Sequence, residues 1–172
     1  MKTPRLSYYE FFYCFLLYGF IQTGATFAEA NSQNLIENRL SSILDQNTES
    51  IDLIETLLLI SKDWNPPLKE KPLRNEIDQL VTSVKNQLRP ESTSQETVDI
   101  LRRVIHHEKK YRYTDQVDDR GIPINSDELF LHGMLKTKQG YCMNLSLLYL
   151  IIGGQLDLPL HGVGLPNHFF VR

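Results

Sequence analysis

The run Gly140-Tyr141-Cys142-Met143-Asn144-Leu145-Ser146-Leu147-Leu148-Tyr149-Leu150, then Leu156-Asp157-Leu158-Pro159, then Gly162-Val163-Gly164-Leu165-Pro166-Asn167-His168-Phe169-Phe170-Val171-Arg172, decides how this chain is read. From Cys142 to Leu156 apolar residues fall on nearly every side of a helical projection, which predicts a buried helix rather than a surface one. Asp157-Leu158-Pro159 stops it, because proline has no backbone N–H to continue the ladder. Two short strand-forming runs follow, Leu160 to Leu165 and His168 to Val171, with Pro166-Asn167 as the turn between them. Helices first and antiparallel strands last make the fold class α+β.

The same stretch carries the chemistry. A thiol in the first turn of a helix sits beside unpaired backbone N–H groups and the positive end of the helix dipole, both of which favour the thiolate. Burial of the rest of the helix fixes the sulfur in place. A histidine arriving on an adjacent strand forms an imidazolium–thiolate pair with it, base first and acid afterwards. Cys142 is therefore the candidate nucleophile, His168 the candidate base, and the Cys142 N–H a candidate oxyanion donor. The bland readings stand beside these: Cys142 as a buried inert cysteine, His168 as a hydrogen-bonded structural histidine.

Working outward toward the amino terminus, Ser126 with Asp127 and Glu128 reads as the start of a helix that carries Leu129, Phe130, Met134 and Leu135 inward and stops near Gly140. Tyr111 to Asn125 is polar, holds Gly121 and Pro123, and reads as a long loop. Thr93 with Glu96 makes a capping box for a helix whose inner face is Val98, Leu101, Val104 and Ile105. Ile77, Leu80, Val81, Val84 and Leu88 mark a helix closed by Arg89-Pro90, and Asn34 to Ile60 reads as another, broken at Trp64-Asn65-Pro66-Pro67. His106-His107-Glu108 reads as a solvated helix end, since no second pair of metal ligands stands at a recognisable spacing. Gln139 reads as a surface glutamine rather than an oxyanion donor, and Tyr141 and Asn144 flank the cysteine as cleft residues.

Lys2 and Arg5, the apolar run from Phe11 to Ile21, and Ala28-Glu29-Ala30 predict a signal peptide over 1–30, cleaved after Ala30. The apolar run is about half the ~20 residues that span a bilayer, so no stable membrane anchor is expected once it is gone. The mature protein is then secreted or periplasmic. With Cys14 removed, Cys142 is the one cysteine left, in a compartment where disulfides form. It is a buried small hydrophobe, an intermolecular bridge or a reactive group. The formal net charge of −3 gives nucleic acid no footprint, and no cofactor or metal is called for.

The run from Gly140 to Leu150 and the ending Gly162 to Arg172 resemble the transglutaminase-like superfamily, and within it the bacterial SirB-type branch, transglutaminase core type 2. The resemblance is tight over 126–172 and looser from about Ile51. It implies a papain-like fold, a helical lobe carrying the nucleophile packed on an antiparallel sheet carrying the histidine. It puts Cys142 and His168 in the nucleophile and base positions, with a protein or peptide as substrate. Many members of this branch have lost the cysteine; this chain keeps it. The family's triad acid belongs on a strand after His168, beyond Arg172, so the expectation is an incomplete core over 126–172, truncated at its C-terminus, behind a helical region over 31–125. The functions in contention are a cysteine acyltransferase or amidohydrolase, a non-catalytic peptide-binding module of the same fold, and a remnant without function.

Overall fold

The structure is a computed structural model that describes residues 38, 39, 41–43, 51–166 and 168–172. The signal segment 1–30 and its cleavage site, most of the expected helix before residue 51, and Asn167 of the turn lie outside the described residues. Two compact units divide the chain, 1–59 and 60–172, and the second holds all of the chemistry discussed below. Among the described residues no helix is long and apolar enough to cross a membrane.

Helix α1 (Leu53–Trp64) ends where Asn65-Pro66-Pro67 begins. Helix α2 (Glu70–Lys85) buries Ile77, Leu80 and Val84 and stops short of Leu88. Helix α3 (Ser94–Arg102) starts on the expected capping box: the Glu96 N–H donates to Thr93 Oγ1 at 3.2 Å, and the Thr93 N–H donates to Glu96 Oε2 at 2.8 Å. Such a cap contributes about 1 kcal/mol. The helix then widens into a π-helical turn, Arg103–Glu108, that buries Val104 and Ile105. The inward stripe is Ile100, Leu101, Val104 and Ile105, so Val98, expected inside, stands at its edge and is 41% exposed.

The segment expected as one loop begins with a strand. Strand β1 (Arg112–Tyr113) pairs in parallel with β2 (Gln139–Gly140), in the register Arg112 to Gln139 and Tyr113 to Gly140. Two residues are too few to show a period of two, which is why the pattern hid it. Beyond it the segment turns at Gly121 (φ 77°) and closes by a bridge between Val117 and Pro123.

The helix expected from Ser126 is two pieces. A 3-10 turn, Ser126–Leu129, is capped by Asn125, whose Oδ1 accepts from the Asp127 N–H at 3.2 Å. Phe130 is extended (φ −116°, ψ 155°), and α4 (Leu131–Thr137) begins after it. The break has a steric and an aromatic component. Gly133 passes so close to the turn that a Cβ there would stand 1.9 Å from the Asp127 carbonyl oxygen. Phe130 stacks on Trp64, centroids 4.8 Å apart, while Trp64 Nε1 donates to Asp127 Oδ1 at 2.9 Å.

Helix α5 (Cys142–Gln155) is the buried helix expected, with Leu147, Leu148, Ile151 and Ile152 inside. Asp157, at φ 53°, ends it. Strands β3 (Gly162–Leu165) and β4 (His168–Val171) form the expected antiparallel hairpin, pairing Gly162 with Val171 and Leu165 with His168. Strand β4 packs along α5. In place of two strands in one sheet, the described residues make two separate two-stranded sheets. This mixed helical and small-stranded architecture fits an α+β domain.

Candidate functional site

The entry to α5 is held from both sides. Lys138, the C-cap of α4, takes a left-handed conformation (φ 62°) and turns the chain toward β2. Its ammonium pairs with Glu76 of α2, donates to the Tyr111 hydroxyl at 2.8 Å and lies 4.5 Å above the Tyr111 ring. The Tyr111 hydroxyl in turn donates to Glu76 Oε1 at 3.1 Å. Burial pushes the Glu76 carboxyl up, but the hydrogen bond and charge of Lys138, with the Tyr111 hydroxyl, outweigh it and leave the group below its ordinary value. Burial and the Glu76 charge push Tyr111 upward, so its phenol stays protonated. On the other side, Thr114 N–H donates to the Gly140 carbonyl at 3.1 Å, and Asn144 Nδ2 donates to the Glu128 carbonyl at 3.1 Å.

These bonds fix Tyr141 as N-cap, extended at φ −79° and ψ 166°, with no side-chain cap bond. Cys142 is therefore the first helical residue, half-buried and not in a disulfide. His168 is the first residue of β4, exposed, its ring stacked on that of Phe170 with centroids 5.9 Å apart. Both side chains line one cleft of about 410 Å³, together with Tyr113, Ser146, Tyr149 and His106. The Ser146 hydroxyl donates to the Phe169 carbonyl at 3.1 Å and so ties the cysteine's helix to the histidine's strand.

Tyr113, His106, Ser146 and Tyr149 were not singled out by sequence reasoning as site residues, and the first two are placed in the cleft by distant partners. Tyr113, on β1, leans against Tyr141 with ring centroids 5.8 Å apart. Burial pushes its phenol up, and its interactions with Tyr141 and Cys142, a hydrogen bond with Tyr141 among them, add to the rise, so it stays protonated at neutral pH. His106 is the second. Its Nδ1 is 2.7 Å from the Tyr111 carbonyl oxygen and its Nε2 is 2.9 Å from the Tyr149 hydroxyl. A carbonyl oxygen only accepts, so in the neutral ring Nδ1 carries the hydrogen and Nε2 accepts the Tyr149 proton. The reading of His106 as part of a solvated helix end is thus corrected: the π-turn swings it under α5, while His107 and Glu108 face solvent. Gln139 sits half-buried in β2 and Asn144 is buried, so neither is a free cleft surface. Among the described residues no cluster of ligands could hold a metal ion.

Residues 71–172 match the family profile of the transglutaminase-like superfamily. The chain belongs to that superfamily. Human F-box only protein 21 is 28% identical over 158 residues, covering 81% of this chain and 25% of that protein. A UPF0162 protein of Xylella fastidiosa is 28% identical over 137 residues, 78% of this chain and 45% of the relative. Protein SirB1 of Salmonella typhimurium is 25% identical over 133 residues, 77% of this chain and 48% of the relative. These bacterial relatives put it in the SirB-type branch, transglutaminase core type 2. The chain spans less than half the length of each of these relatives. No solved structure matches it.

Proposed function

We propose that this superfamily member is an exported cysteine acyltransferase or amidohydrolase acting on a protein or peptide, with Cys142 as nucleophile and His168 as base. The observation that carries the reading is that Cys142, at the head of a buried helix, and His168, at the head of a strand packed on that helix, open into one cleft. His168 takes the thiol proton as Sγ forms a bond to the carboxamide carbon. The carbonyl electron pair moves to oxygen, toward the N–H at the start of α5. When the tetrahedral centre collapses, the C–N bond breaks, the imidazolium gives its proton to the departing amine, and a thioester remains. Water or an amine then attacks the thioester, His168 takes that nucleophile's proton, and Sγ leaves and is reprotonated. Tyr113 lines the cleft beside Cys142 and His168 and leans against Tyr141.

The test is alkylation of the folded chain by iodoacetamide across pH. Fast labelling of Cys142 that persists at mildly acidic pH, and that drops in His168→Ala, supports the pair. Equal profiles for the two proteins, both like a free thiol, would overturn it.

A further inference from the structure

The cleft has a second polar end, and the cysteine's own helix reaches it. Cys142, Ser146 and Tyr149 stand on one face of α5, and seven residues of helix separate the Cα atoms of Cys142 and Tyr149 by about 10 Å along the axis. There the Tyr149 hydroxyl is occupied by the fixed lone pair of His106, and Arg102, at the end of α3, forms the adjoining wall. Among the described residues, the ionisable side chains lining the cleft other than cysteine and tyrosine are Arg102, His106, His168 and Arg172, and no aspartate or glutamate lines it. The nearby carboxylates are engaged elsewhere or weakly. Asp99 Oδ1 is 3.9 Å from Arg102 Nη1 with both side chains more than half exposed, a contact too solvated to neutralise the guanidinium. Glu108 accepts from Gln87 at 3.1 Å and lies 4.0 Å from Arg103. Leu101, Leu160 and Val98 supply the apolar floor.

We infer that Arg102, beside the His106–Tyr149 pair, makes this end of the cleft an anion-recognition subsite, so that the favoured acyl donor is a peptide that carries a carboxylate a few residues from the reacting carbonyl, on the Tyr149 side. The inference rests on Cys142 being the attacking group and names the substrate class for that reaction. Arg102 supplies the charge. Tyr149, held as a donor toward His106, presents its free oxygen lone pair to the neighbouring peptide N–H. The apolar floor takes the intervening side chain.

The probes are 6-maleimidohexanoate and its neutral amide, which add to Cys142 and place either a carboxylate or a carboxamide at the far end of the cleft. The expected ratio of the two labelling rates, acid over amide, exceeds that of free N-acetylcysteine by about threefold at low salt and shrinks toward it in molar salt. Arg102→Gln lowers the ratio to the free-thiol value, while Arg120→Gln, the same charge change on an exposed loop, leaves it raised. A ratio equal to that of the free thiol in the unaltered chain, or one that Arg120→Gln lowers as much as Arg102→Gln, would overturn the subsite. The ratio is read whatever the absolute rates are. Slow, His168-insensitive labelling therefore counts against the nucleophile, and an unraised ratio with fast labelling counts against the subsite alone.

Discussion

The Ser146 hydroxyl donates to the Phe169 carbonyl at 3.1 Å, one helical turn beyond Cys142 on α5 and one residue beyond His168 on β4. This side-chain bond ties β4 to α5 and, on the proposed reading, aligns the imidazole with the thiol. Ser146→Ala is expected to cost about 1 kcal/mol in stability, the net worth of such a bond. The loss of alignment should show separately, as a fall in acidic-pH alkylation of Cys142 toward the His168→Ala level. Urea denaturation and the labelling profile, measured on one preparation, check both.

Gly133→Ala should be far more damaging than its size suggests. The new methyl meets backbone, the Asp127 carbonyl at 1.9 Å, and backbone does not yield as a side chain would. A cost of about 3 kcal/mol is expected, the upper range for overpacking, read as a lower urea midpoint. Gly154→Ala, where nothing stands within 4 Å, serves as the control and should be neutral or mildly stabilising.

His132 makes stability depend on pH. It is 3% exposed; burial pushes it below its ordinary 6.5, Asp127 at 3.6 Å pulls it part of the way back, and Lys136 adds to the fall. The unfolded chain therefore binds the proton first as pH drops. Stability is full above about 6.5, falls as pH drops below it, and the loss is complete once the folded state is protonated too. Thermal melts at pH 7 and pH 5 should show the decline, and His132→Phe should flatten it. Glu70, Glu76 and Glu96, all lowered from 4.5, add their own losses only in more acidic solution.

Glu76→Gln should cost about 1–3 kcal/mol by leaving the part-buried Lys138 ammonium without its counter-charge. The double change Glu76→Gln with Lys138→Met should cost less than the sum of the singles, because it removes the orphaned charge as well. A double-mutant cycle in urea reads the coupling. Strictly additive costs would mean that the pair does not hold the turn into β2.

What could be read from the sequence follows from how local each signal is. Helix α5 shows itself as a long apolar run, the β3–β4 hairpin as two strand-forming runs around Pro166, and the α3 cap as Thr93 and Glu96 three apart. Each needs only its neighbours. Tyr113 and His106 were not legible as site residues because distant partners place them. Tyr113 enters the cleft through a two-residue parallel pairing with β2, too short for any period to mark. His106 enters through a π-turn, which slips the helical register by a fraction of a turn and leaves no trace in apolar spacing. The split of the expected 126–140 helix has the same origin, since Phe130 is extended where Trp64 stacks on it.

The two small sheets differ in what their closure demands of the chain. Strands β3 and β4 are joined through positions 166–167, so that pairing closes almost no loop and belongs to the class of events that finish in about 1–10 μs. Pairing Arg112 with Gln139 encloses all of the intervening segment and bears a larger closure entropy. The hairpin is therefore expected to close sooner than the β1–β2 pairing, with His168 in its strand before Cys142 has its seat. A lesion confined to the β1–β2 closure is then expected to leave the helices and the hairpin intact while the cleft stays unformed.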